Sequence, residues 1–177
     1  MLQTNINNSI IKIIIDDLTN LETEAIVFYA QSDLKLGSGF GNAIAIRGGA
    51  SIQDELNTFN PISVTEAVIT GAGDLKAGYI VHAVGPRFQE PKSDKKLAKT
   101  MHSVLKLADE KGIKRIAFPP MGTGFYGIPL DTSAQIMLNA ISDYLSNKNN
   151  FSEVLICTMD NREYSAFEKN WLVKEKV

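Results

Sequence analysis

One glycine-rich run constrains this chain more than any other stretch: Phe118-Pro119-Pro120-Met121-Gly122-Thr123-Gly124-Phe125-Tyr126-Gly127-Ile128-Pro129. It follows the short apolar run Arg115–Phe118, which reads as a buried strand. It precedes residues 130–145, where Ile136, Met137, Ala140, Ile141 and Leu145 recur at helical spacing. The run therefore joins a strand end to a helix start. Its closely spaced glycines let the backbone fold tightly and expose its N–H groups. Apart from Thr123 and the Tyr126 hydroxyl, it offers no polar side chain. Bare amides beside a helix N-terminus suit phosphate oxygens. Phe125 and Tyr126 would then cover a sugar or a base. The same residues also read as a plain strand-to-helix turn, and alone they leave both readings open.

Size and charge narrow the field. A chain of 177 residues is long enough to bury a full core, and residues 1–177 are expected to form one domain. A net charge of −2 gives no footprint for bulk nucleic acid, although amides that bind phosphate do not enter a charge count. With one cysteine, Cys157, there is no internal disulfide, and with only His82 and His102 no histidine-based metal site is expected. Cys157 lies in the apolar run Val154–Thr158 and reads as a buried structural thiol. The polar Met1–Ser9 segment lacks the regions of a signal peptide, and no apolar run approaches membrane-spanning length. The expectation is a cytoplasmic protein with no membrane partner.

In chain order, Ile10–Ile15 reads as a strand, and Thr19 to Glu22 as a capping box with Thr19 as N-cap. Ala25–Ala30 is apolar throughout, as for a strand covered on both faces. A second glycine loop, Gly37-Ser38-Gly39-Phe40-Gly41, leads into a helix expected from Asn42. Ser51 should cap a helix over Ser51–Phe59. Glu66–Thr70 and Tyr79–Val84 read as strands, with His82 a core histidine bonded to backbone. Ser93 should cap a helix reaching Lys111, ended by Gly112. Glu153–Thr158 reads as a late strand, and Arg162–Trp171 as a helix with Tyr164, Phe167 and Trp171 on a core-facing stripe. Strands alternating with helices predict an α/β three-layer α/β/α sandwich, with a mixed, mostly parallel sheet of about six strands. In such sheets ligands sit in loops that leave strand ends. Two amide-lined loops suit two phosphates, and a carboxylate in Asp16-Asp17 suits an amino group of adenine. A pyrophosphate flanked by adenosine follows.

These residues resemble the macrodomain family of ADP-ribose-binding modules, over nearly the whole chain from about Ile10 to about Thr158. Asp16-Asp17-Leu18-Thr19 resembles the family's Gly-Asp-Ile-Thr element, and Leu36–Ile44 its first phosphate loop. Thr65-Glu66-Ala67 through Tyr79–Pro86 resembles its middle strands, and Phe118–Pro129 its second loop. The resemblance implies that Asp17 accepts from the adenine amino group and that the Leu18 amide donates to the ring. It implies that the amides of Ser38, Gly39 and Phe40 hold one phosphate, and those of Gly122, Thr123, Gly124, Phe125 and Tyr126 the other. Phe125 would pack on the distal ribose, with Gln31 and Asn42 as ribose contacts. The ligand would be ADP-ribose or an ADP-ribosylated protein, with no cofactor and no metal.

One element departs from the pattern. Where many hydrolytic members carry Asn-Ala-Ala-Asn, this chain has Phe28-Tyr29-Ala30-Gln31, and Gly122 stands at a serine-like position. The pattern is closer to reader-type members, including the one fused to a histone. Binding is therefore the expected function. The alternative is a hydrolase that removes ADP-ribose from proteins or deacylates O-acetyl-ADP-ribose, with Gln31 as its catalytic candidate. A nicotinamide dehydrogenase fits poorly, because Asn42 breaks the G-x-G-x-x-G spacing at its last position.

Overall fold

The computed structural model describes residues 1–37 and 39–174, with side chains to Trp171. The chain begins with an edge hairpin. Leu2–Ile6 (β1) runs antiparallel to Ser9–Ile15 (β2), with Leu2 opposite Ile13 and Ile6 opposite Ser9. Asn7 turns the hairpin at a φ of 53°, a conformation that asparagine tolerates better than most residues. β1 is absent from the sequence expectation because it reads as polar. It is an edge strand whose side chains alternate between half-buried and exposed.

The remaining strands are Ala25–Tyr29 (β3), Ala67–Gly71 (β4), Tyr79–Ala83 (β5), Arg115–Phe118 (β6) and Glu153–Thr158 (β7). The sheet has seven strands rather than about six, in the order β1-β2-β7-β6-β3-β5-β4. The five strands from β2 to β5 in that order are mutually parallel, and the edge strands β1 and β4 are antiparallel. The helices are Gly39–Gly48 (α1), Ala50–Leu56 (α2), Ser93–Glu110 (α3), Leu130–Leu145 (α4) and Asn161–Lys174 (α5).

Alternation along the strands divides the core in two. Val27, Val81, Ile116, Val154 and Ile156 pack with α3, α4 and α5 residues such as Met101, Leu105, Met137, Ile141 and Phe167. Ile26, Ile80, Ala117 and Leu155 pack with Ile44, Ile52 and Leu56 of α1 and α2. This is the expected three-layer arrangement. Each fully buried side chain of this size contributes about 1.5–3 kcal/mol. The Tyr164, Phe167 and Trp171 stripe belongs to the first cluster, as expected.

Several local expectations shift. The short turn after β2 is a 3-10 turn at Leu18–Asn20, capped by Asp17 and not by Thr19. α1 starts at Gly39, ahead of Asn42. α2 starts after Gly49 at a φ of 86°, so Ser51 lies inside it, and it ends at Leu56. Lys92, not Ser93, is the N-cap of α3.

Adjacent strands β3 and β6 send their following helices to opposite faces: β3 leads to α1, and β6 leads to α4. Such a divergence opens a crevice at the carboxyl ends of parallel strands. The loops after β2, β7, β6 and β3 therefore gather along one edge of the sheet.

His82 is fully buried, as expected, but its partner is a side chain. Nε2 lies 2.8 Å from the Thr70 hydroxyl. That hydroxyl donates to the Gly71 carbonyl at 2.9 Å, so Nε2 carries the proton and Nδ1 is left without a donor. Burial holds the His82 pKa down at about 3, against an ordinary 6.5. Below its ordinary value the unfolded chain binds a proton that the native state does not, so stability falls as the pH falls from about 6.5 towards 3. Urea unfolding between pH 7 and 5 should show this slope, up to roughly 1.4 kcal/mol per pH unit, and His82→Gln should abolish it.

Candidate functional site

The loop after β6 folds as the sequence requires. Gly122, Gly124 and Gly127 take φ values of 75°, 62° and 79°, a region that other residues enter at a cost. Ile128 donates its amide to the Gly122 carbonyl at 3.0 Å and closes the loop. Ser133 of α4 donates its hydroxyl to the Met121 carbonyl at 2.6 Å and anchors the loop to the helix. Gly124–Tyr126 forms a 3-10 turn, and the Tyr126 amide turns inward to the Thr123 carbonyl at 3.4 Å. Thr123 is half-buried, and Phe125 is 82% exposed.

The loop after β3 ends at the first turn of α1, where the amides of Gly39 and Phe40 have no intrahelical acceptor. Ser38 lies outside the described residues. Asn42 is exposed in that same turn. Gln53 of α2 fixes the loop from behind. It accepts from the Leu36 amide at 2.9 Å and donates to the Leu34 carbonyl at 3.2 Å. Phe28 packs beneath the start of α1, its ring 5.9 Å from that of Phe40, and a Cβ at Gly41 would stand 3.0 Å from it. Gln31 is exposed, and its side chain lies beside the Tyr126 phenol, whose pKa burial raises.

The turn after β2 places Asp17 at the far end of the crevice. Asp17 Oδ1 accepts from the Thr19 amide at 3.0 Å and from the Thr19 hydroxyl at 2.6 Å. Arg47 of α1 donates to Asp17 Oδ2 and to the Thr19 hydroxyl. The Thr19 and Arg47 hydrogen bonds hold the Asp17 carboxyl below the usual carboxylate range. The Leu18 amide opens the 3-10 turn, a position with no intrahelical acceptor. Asp16 bonds instead to the Asp17 amide, at 2.7 Å. Exposed Ile15 and Met159 stand at the adjacent ends of β2 and β7. Cys157 is buried, bonded to the Asp16 carbonyl, and burial pushes its thiol up to about 12, so it is inert.

Tyr29, Phe88 and Arg47 shape the candidate site, and the sequence reading missed them. Tyr29 is buried, donates its hydroxyl to the Pro86 carbonyl at 2.5 Å, and packs on Tyr126 with ring centroids 4.3 Å apart. Phe88 covers Gly127, where a Cβ would fall 2.5 Å from its ring. Their signals were faint: a tyrosine in an apolar strand, a phenylalanine after Gly85-Pro86, and an arginine in the last turn of a helix. Two surface grooves, of about 670 and 740 Å³, run along α3, and none of the three loops lines either.

Known proteins share this architecture. A family model described as Macro domain matches residues 29–137. A macro domain-containing protein of Caldanaerobacter subterraneus subsp. tengcongensis is 40% identical over 165 residues, covering 90% of this chain and 94% of that protein. O-acetyl-ADP-ribose deacetylase 1 of Pantoea vagans is 36% identical, covering 90% of this chain and 96% of that protein. The Oceanobacillus iheyensis macrodomain with ADP superposes with a TM-score of 0.94 at 26% identity, covering 99% of this chain and 97% of that one. The Trypanosoma brucei macrodomain in complex with ADP-ribose gives a TM-score of 0.84 at 29% identity, covering 90% and 68%.

Gly85 admits Tyr29 to its place. A Cβ at Gly85 would lie 2.3–2.4 Å from the Tyr29 ring and hydroxyl. Gly85→Ala must displace a buried aromatic and should cost about 1–3 kcal/mol of stability, read from urea unfolding.

Proposed function

The chain belongs to the macro domain family, and on that premise we propose that it binds ADP-ribose, free or attached to a protein, in the crevice at the carboxyl ends of β2, β7, β6 and β3. The observation that carries the reading is the convergence on that edge of two glycine loops and one carboxylate held below the usual carboxylate range. The helix N-terminus of α1 suits one phosphate, and the Gly122–Phe125 amides suit the other. Asp17 accepts from the adenine amino group, the Leu18 amide donates to the ring, and Ile15 and Met159 offer apolar cover for the base. Phe125 packs on the distal ribose, which Gln31 and Asn42 contact. Binding through backbone amides accords with a net charge of −2, because no cluster of lysine or arginine is needed. Its described residues include no helix long and apolar enough to cross a membrane.

A second reading is hydrolysis, favoured by the two Pantoea vagans relatives described as O-acetyl-ADP-ribose deacetylases. It would require a water held against the distal ribose and help for the charge that develops on attack. Substrate phosphates and loop amides supply part of that field. The side chain we take as the candidate to hold the water is Gln31, which lies beside the Tyr126 phenol.

Calorimetry tests binding. Charge-assisted amide bonds, at roughly 1.5–3 kcal/mol each before the entropy of association, should give a Kd on the order of micromolar for ADP-ribose. ADP should follow, and AMP, which reaches only one loop, should bind far more weakly. Equal affinity for AMP and ADP-ribose would refute the two-loop arrangement.

Turnover on a glutamate-linked ADP-ribosylated protein should be weak or absent. Gln31 adds a methylene and a rotatable bond relative to asparagine, and a misplacement of about 1 Å can cost roughly 100-fold in rate. Gln31→Asn should therefore alter the rate more than it alters ADP-ribose affinity. Fast single-exponential release by the unmodified protein would establish the hydrolase reading instead.

A further inference from the structure

Helix α1 meets the crevice at both ends. Its first turn presents the Gly39 and Phe40 amides, and Arg47 stands in its last turn. The two ends lie about 12 Å apart along the helix axis. Arg47 reaches the turn that carries Asp17, where it donates to Oδ2 and to the Thr19 hydroxyl. The Thr19 amide and hydroxyl already occupy both acceptor positions of Oδ1. Oδ2 keeps one open position beside Arg47.

The Asp17 side chain is 45% exposed, and the terminal torsion of an aspartate is broad. Thr19 holds only one of its oxygens. Arg47 holds the other and ties it to the helix that forms the first phosphate site. A group ordered before the ligand arrives need not be ordered on binding.

We propose that Arg47 is a positioning residue for base selection: it orients the open position of Asp17 Oδ2 towards an exocyclic amino group, so that the site takes adenine and rejects hypoxanthine. Hypoxanthine carries a keto oxygen where adenine carries its amino group. Set against a carboxylate oxygen, it brings two acceptors together with no proton between them. Arg47 need not touch the ligand for this selection, because it acts through Asp17. The inference rests on the ADP-ribose reading above.

Calorimetry with ADP-ribose and with its hypoxanthine counterpart tests it, on the wild-type protein, Arg47→Ala and Arg47→Lys, with a thermal melt of each variant. The wild type should prefer the adenine ligand clearly. Arg47→Ala should weaken ADP-ribose binding by about tenfold and the hypoxanthine ligand by less than about twofold, so that the preference collapses. Arg47→Lys, which keeps the charge, should restore part of it. If Arg47 only docks the end of α1 on its neighbour, Arg47→Ala will weaken both ligands equally or neither, the preference will stand, and the inference is overturned. A wild-type protein that binds neither ligand would overturn the ADP-ribose reading itself, a result distinct from an unchanged preference.

Discussion

Tyr29 is the contact on which the geometry of the crevice depends. It is the last residue of β3, the strand beside which the sheet divides its helices between two faces. Its ring packs on Tyr126 of one glycine loop, and its hydroxyl bonds to the Pro86 carbonyl of the loop after β5. The next residues, Ala30 and Gln31, begin the other glycine loop. One buried side chain thus sets the relative position of three loops from three strands. Burial drives its phenol pKa up, so it stays a neutral donor at any ordinary pH. Gly85 is bound into the same arrangement, because no side chain fits between it and the ring.

With the loops fixed in this way, the proposed recognition of phosphate would fall to the backbone. Amides at the start of α1 and at Gly122–Phe125 cannot swing away as lysine side chains can, and ordering them costs a ligand nothing further; the Tyr126 and Gly127 amides are already bonded within the loop. Their direction is set by the positive φ values of the loop and by anchors behind it, Ser133 on one side and Gln53 on the other. Asp17 is treated alike: three donors hold it before any ligand arrives. The crevice is held stiffly at these points. It is most open at Phe125 and Phe88, which stand exposed beside the second loop.

Much of this was legible in the sequence, for physical reasons. Strands buried on both faces, such as Ala25–Tyr29, announce themselves as unbroken apolar runs, and the α4 helix by its 3.6-residue spacing. Glycine clusters that open helices mark the phosphate loops. β1 was missed because an edge strand with one wet face has no such run, although Asn7-Asn8 between two short stretches is a hairpin turn signal. N-caps shifted by one or two residues: the Asp17 carboxylate displaces Thr19, and Gly49, at a positive φ, takes the start of α2 ahead of Ser51. Tyr29, Arg47 and Phe88 were invisible because their roles come from contacts across the fold, such as the 57 residues between Tyr29 and Pro86 or the 30 between Asp17 and Arg47.

The replaced Asn-Ala-Ala-Asn element gains a structural sense from these contacts. Phe28 sits under the first turn of α1, in contact distance of the place where a Gly41 side chain would stand, and its ring is edge-on to buried His82 at 6.0 Å. An asparagine there would put an amide among the apolar neighbours that Phe28 now packs with. Phenylalanine instead stiffens the support of a phosphate-binding helix. Gln31 and Tyr126 stand side by side where the two loops meet, at the end where the distal ribose would lie. Phe28 offers no hydrogen bond to a ligand, and Gln31 is longer than asparagine by a methylene and a rotatable bond, so on the reading proposed above this is the physical ground for placing binding ahead of hydrolysis.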